Sequence, residues 1–180
     1  SDWNTASIQN MNSMFSHCKN VKTLDVSNWD TSSVKTMQYM FYYCTSVENL
    51  DVSDWDTSNV TDMKYLFADC YNITSLNLSK WNTSKVENMS AMFLTSTPDN
   101  AGALTDLNIS GIDTSAVIYM NSMFGNCSGL TELNLSHFDT SSVKTMYAMF
   151  AGCENLKSLN TAGWDTSSVT NMAQMFQSCE

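Results

Sequence analysis

The sequence predicts an α/β solenoid, a right-handed superhelix of strand–turn–short-helix units with a parallel sheet on its concave face. Three observations predict it. A 26-residue unit recurs seven times, apolar residues alternate in one part of each unit, and they recur at three- and four-residue steps in another. Trp3, Trp29, Trp55 and Trp81 stand 26 apart; Ile112 follows after a step of 31, then Phe138 and Trp164 at 26 again. All 13 methionines fall in two columns, in which Leu66 is the one replacement. Periods of 20–50 residues mark repeat architectures, in which a unit cannot bury its apolar face alone and must stack.

Each element follows from the unit. In Leu24-Asp25-Val26-Ser27 apolar and polar residues alternate, which is the pattern of a half-buried strand. Asp30-Thr31-Ser32-Ser33 offers side-chain oxygens to cap a starting helix. Val34, Met37, Met40, Phe41 and Cys44 then mark one face of that helix. The array is expected to fill 1–180 as a single domain, with incomplete first and last units, as a piece of a longer protein. A loop is expected over 94–103, where the spacing grows and Pro98-Asp99-Asn100 and Gly102 form turns. Like residues of successive units should pile into ladders, and uncapped end units should tend to pair end to end.

Composition excludes several functions. The net charge is −10, and the eight basic residues are all lysine. Nucleic-acid binding needs a basic footprint, so it is not expected. No apolar run approaches the ~18 residues of a membrane span, and none is expected to insert. No nucleotide-binding glycine loop or nucleophile elbow occurs. His17 and His137 fall in different columns, so no repeated chemistry uses them. The chain reads as no enzyme, with no cofactor and no metal site. Calcium on the acidic turn column Asp30, Asp56, Asn82, Asp113, Asp139 and Asp165 is the weaker alternative to local capping of the turn. The six cysteines, one per unit except where Ser96 stands, read as buried reduced thiols rather than disulfides.

Two sets of residues are candidates for binding. Asp25, Asp51, Asn77, Asn108, Asn134 and Asn160 form an outward polar ladder on the strands, beside a second column that holds the acidic pair Asp106 and Glu132. Either amide hydrogen bonding within the ladder or recognition of a protein or glycan accounts for it. Tyr39, Tyr42, Tyr43, Tyr65 and Tyr71 crowd into units two and three, in slots that other units fill mostly with Ser, Ala, Gly, Asp or Gln. Packing between neighbouring elements and a contact surface both fit tyrosine there.

The segment Leu-Asp-Val-Ser-x-Trp-Asp-Thr-Ser-x-Val-x-x-Met-x-x-Met-Phe-x-x-Cys, at 24–44 and close to it at 50–70, resembles the bacterial surface protein 26-residue repeat of the BspA-like leucine-rich-repeat surface proteins. The resemblance covers essentially the whole chain. Ile112 and Phe138 for tryptophan, Ser96 for cysteine and Thr161 for the last strand leucine depart from it. It implies an extracellular bacterial protein, secreted or anchored to cell wall or membrane, with a role in cell adhesion. The function expected is therefore a non-enzymatic binding module for a host or neighbouring-cell protein or glycan, through the strand face or the tyrosine flank. The alternative is a passive stalk.

Overall fold

The structure, a computed structural model, describes residues 3–96 and 102–179. It overturns the α/β solenoid and with it the leucine-rich-repeat architecture. Among the described residues there is no helix. There are four strands of three residues each: β1 (Ser75–Asn77), β2 (Asp106–Asn108), β3 (Glu132–Asn134) and β4 (Ser158–Asn160). They form two separate parallel pairs, β1–β2 and β3–β4, rather than one continuous sheet. Of the loop expected at 94–103, Pro98, Asp99 and Asn100 lie outside the described residues. Its flanks are tied to neighbouring units, Thr95 N–H to Gly125 O at 2.9 Å and Ala103 N–H to Tyr71 O at 3.0 Å.

The expected helix fails for a backbone reason. Two positions in the Met-x-x-Met-Phe-x-x-Cys segment take positive φ, as at Tyr39 (55°) and Tyr43 (61°), in every unit but the fourth, where Ala91 alone does. A left-handed residue breaks the run of right-handed dihedrals that an α-helix requires. It also turns alternate N–H groups away from their own segment. Met37, Tyr39, Phe41 and Tyr43 donate to the carbonyls of Asp62, Lys64, Leu66 and Ala68 in the next unit, at 2.9–3.0 Å. What remains inside the segment is a chain of short turns, Met40 N–H to Met37 O and Cys44 N–H to Phe41 O. Turns of three residues bury positions three and four apart just as a helix face does, so the apolar spacing is the same for both.

These bonds recur from unit to unit. Parallel bridges join Asn10, Thr36, Asp62, Asn88, Tyr119, Thr145 and Asn171 in one file. The unbroken ladder therefore runs beside the methionine segment, where a helix was expected. The sheet pairing, where a continuous sheet was expected, is interrupted between β2 and β3.

Side chains reinforce the ladder. Phe15, Phe41, Phe67, Phe93, Phe124, Phe150 and Phe176 stack ring on ring, with centroids 5.5–5.9 Å apart. Trp3, Trp29, Trp55 and Trp81 make a second file at 5.6–6.5 Å. Buried threonines tie units through the main chain: Thr31 Oγ1 donates to Asp56 O and Thr57 Oγ1 to Asn82 O, both at 2.9 Å. The cysteines do the same. The thiols of Cys44, Cys70 and Cys153 donate to Phe15 O, Phe41 O and Phe124 O at 3.0–3.1 Å. All six are free. Burial pushes the Cys44 thiol up to about 11 and that of Cys153 to about 12, so neither forms the reactive thiolate at neutral pH. Ser96, in the cysteine slot, instead donates its hydroxyl to the buried Asp69 at 2.8 Å.

Candidate interaction surfaces

The polar strand ladder is exposed along its length, and each member has a local task. The Oδ1 atoms of Asp25, Asp51, Asn77, Asn108 and Asn134 accept from the backbone N–H and the hydroxyl of the serine two residues on, the latter at 2.8–2.9 Å. Asn160 Oδ1 accepts from the backbone N–H of Ala162, at 3.1 Å, where the other units have serine. Asx turns of this kind close the corner before the tryptophan slot. The hydroxyls of Ser27 and Ser53, followed by their N–H groups, hold the Asp25 and Asp51 carboxyls below the usual aspartate value. Repulsion between the two carboxylates is the smallest influence on Asp25.

Asp106 and Glu132 are not brought into one strand pair. Asp106 lies in register with Ser75, whose hydroxyl donates to its Oδ2 at 3.0 Å, while Glu132 lies in register with Ser158. The acidic turn column is likewise committed to local bonds. The serine two residues on, hydroxyl first and N–H second, holds the carboxyls of Asp30, Asp56, Asp139 and Asp165 low. Among the described residues, no group of three His, Cys, Asp or Glu side chains is placed to hold a metal ion. No helix there is long and apolar enough to cross a membrane.

The structure does bring the five tyrosines together. Tyr39 stacks on Tyr65 at 4.9 Å, and Tyr42 meets both edge-on at 5.6 and 5.9 Å. Tyr43 joins Tyr42 to Tyr71, at 5.9 and 6.0 Å. His17 packs against Tyr42 and Tyr43 at 5.2 and 5.3 Å. Lys19 lies over the Tyr43 ring and Lys64 over Tyr65, a cation–π arrangement worth about 0.5–1 kcal/mol at exposed sites. All five rings are half-buried. The result is one aromatic patch that crosses two units and is bordered by lysines.

Sequence columns missed three features. Tyr119 and Tyr147 are more open than the five, at 46% and 38% exposure, and neither belongs to the ring network; the Tyr147 hydroxyl donates to Gln174 Oε1. His137 replaces a hydrogen bond. At Trp55, Trp81 and Trp164 the indole N–H reaches a main-chain carbonyl of the preceding unit, as Trp81 Nε1 to Val52 O at 2.8 Å and Trp164 Nε1 to Leu135 O at 2.9 Å. Phe138 has no such donor, and His137 Nε2 lies 3.0 Å from the equivalent carbonyl of Ile109. A carbonyl only accepts, so Nε2 carries the proton. The signal was legible as histidine beside the one phenylalanine in the tryptophan column.

Residues 1–106 and 97–180 both match the model of a family described as "Mycoplasma protein of unknown function, DUF285". No curated protein matches the chain.

Proposed function

The chain belongs to the DUF285 family, and we propose that it acts as a non-enzymatic, cell-surface or secreted binding module that engages a protein partner through its tyrosine patch. The observation that carries this reading is the gathering of Tyr39, Tyr42, Tyr43, Tyr65 and Tyr71 into one half-exposed network, in slots that the same repeat fills elsewhere mostly with small or polar residues, Leu94 being the apolar exception. The ladder does not need tyrosine there: Ser122 and Ala148 hold the Tyr39 slot with the same positive φ. Tyrosine offers rigid contact area with a polar tip, which is why interfaces concentrate it. The resemblance to bacterial surface repeats supports the extracellular location and the adhesion role.

A passive spacer is the second reading. It is favoured by the polar strand ladder, whose side chains are occupied in closing turns. The test is binding of the chain to immobilised host-matrix proteins, compared with a Tyr42→Ala, Tyr43→Ala variant. The proposal expects at least one matrix protein to bind, about tenfold or more weaker binding by the variant, and a melting temperature within a few degrees of the parent. A sharp fall in melting temperature makes the rings packing residues. No binding by either protein leaves the spacer.

A further inference from the structure

The strand face opens where β2 and β3 fail to pair. A cleft of about 530 Å³ lies over this junction and reaches onto β4, lined among others by Asn108, Glu132, Asn134, His137, Ser158 and Asn160. Ligand clefts run from roughly 300 to 1,000 Å³, so the space suits a short oligomer. Its position coincides with Ile112 and Phe138, where the tryptophan column is interrupted. His137 spans that junction through Ile109 O.

The lining chemistry is specific. Asn108, Asn134 and Asn160 direct Oδ1 at a backbone N–H, and this fixes which end of each amide is which. Each Nδ2 group is thereby turned away from its turn, and none has a protein partner among the described residues. The exposed Glu132 is in neither of the ion pairs found among the described residues. Three unspent amide donors thus stand beside a carboxylate acceptor. Each sugar hydroxyl accepts one hydrogen bond and donates another, so a vicinal pair matches one amide and one carboxylate. Asn134 and Asn160 lie in register on the paired β3 and β4, and paired parallel strands lie about 4.8 Å apart, close to the advance of a linear polysaccharide per ring. The net charge of −10, with Glu132 in the wall, disfavours an anionic glycan. A peptide added as a strand needs a longer continuous edge than three-residue strands supply.

We propose that the cleft between β2 and β3 is a binding site for a neutral linear oligosaccharide, whose hydroxyls accept from the amides of Asn108 and Asn134 and donate to Glu132. This site is separate from the tyrosine patch and independent of its role.

The chain itself supplies a conservative variant. Asp25 and Asp51 close the same turn in units two and three, so Asn108→Asp with Asn134→Asp keeps the turns, removes the donors and adds two negative charges, to which a neutral sugar is indifferent. Glu132→Gln, on an exposed side chain, is the second variant. Calorimetric titration of the whole chain would use cellotetraose, mannotetraose and chitotetraose, with a heparin tetrasaccharide as anionic control. At least one neutral tetrasaccharide should bind and heparin should not. Each variant should weaken binding about tenfold or more, equivalent to about 1.4 kcal/mol, at unchanged melting temperature. The Tyr42→Ala, Tyr43→Ala protein should bind sugar as the parent does. The proposal is overturned if no neutral tetrasaccharide binds at millimolar concentration, if heparin binds better, if neither cleft variant weakens binding, or if the tyrosine variant abolishes it.

Discussion

Replacing Phe41 by alanine is expected to destabilise the protein by about 3–5 kcal/mol, the usual cost of deleting a wholly buried aromatic ring. Phe41 has 0% exposure. Its ring stacks on Phe15 at 5.7 Å and on Phe67 at 5.8 Å, and packs against Trp55 at 6.0 Å. A cavity at that point removes contacts on both sides, in the unit before and the unit after. The loss should also be local, because the ring contacts of Phe41 reach only Phe15, Trp55 and Phe67 in the units before and after. Amides of units one to three should exchange faster while those of unit six keep their protection. Phe176 provides the control. It occupies the same column but is 52% exposed and stacks on Phe150 alone. Phe176→Ala should therefore cost well under half as much. Urea unfolding midpoints measure the difference; equal small shifts for both variants would mean that the ring file does not support the stack.

Gly111→Ala should be nearly as damaging, although it adds a single methyl group. A Cβ there would run into the main chain of Ser79 in the preceding unit, clashing with its carbonyl oxygen and standing 2.6 Å from its carbonyl carbon. Backbone cannot swing aside as a side chain does, so units four and five must separate. Overpacking of this kind costs typically about 1–3 kcal/mol, and more where nothing yields. The equivalent slot holds Asn28, Asp54, Lys80 and His137 in other units, so the close approach belongs to this junction and not to the repeat. Gly163, also in that column, separates the two causes. It has φ of 89° but its nearest non-local atom would be 3.9 Å from a Cβ. Gly163→Ala should therefore cost only the conformational strain, about 1 kcal/mol. The ordering of the two melting temperatures is the measurement, with Gly111→Ala the lower.

Much of the molecule was legible in the sequence because every column is one environment repeated. Phenylalanine recurs because one ring seats on the next, and threonine because the hydroxyls from Thr31 to Thr140 each hold the following unit's carbonyl. The cysteines read as buried thiols for the same reason, and they are free. The helix was misread because Met37, Met40, Phe41 and Cys44 show a spacing that turns and helices share. The deciding feature, left-handed backbone, falls on Tyr39, Ala91 or Ser122, residues that do not announce it; only Asn126, Asp69 and Gly152 hint at it. The expected sheet was too long because alternation around Leu24 and Leu50 reports burial and says nothing of whether neighbouring strands pair. At the sites, the tyrosine cluster could be read from its departure from the consensus. The turn bonds of Asn108 and Asn134, and the unspent amides they leave, needed coordinates.

The central claim is that the methionine segments bond to their neighbours instead of closing on themselves. Scalar couplings across hydrogen bonds, from amide nitrogen to carbonyl carbon, observe this directly. They should link Phe41 N to the carbonyl carbon of Leu66 and Phe67 N to that of Met92, 25 residues along the chain in each case. Couplings from Phe41 to Met37 and from Phe67 to Met63, four residues back as in an α-helix, would contradict the account.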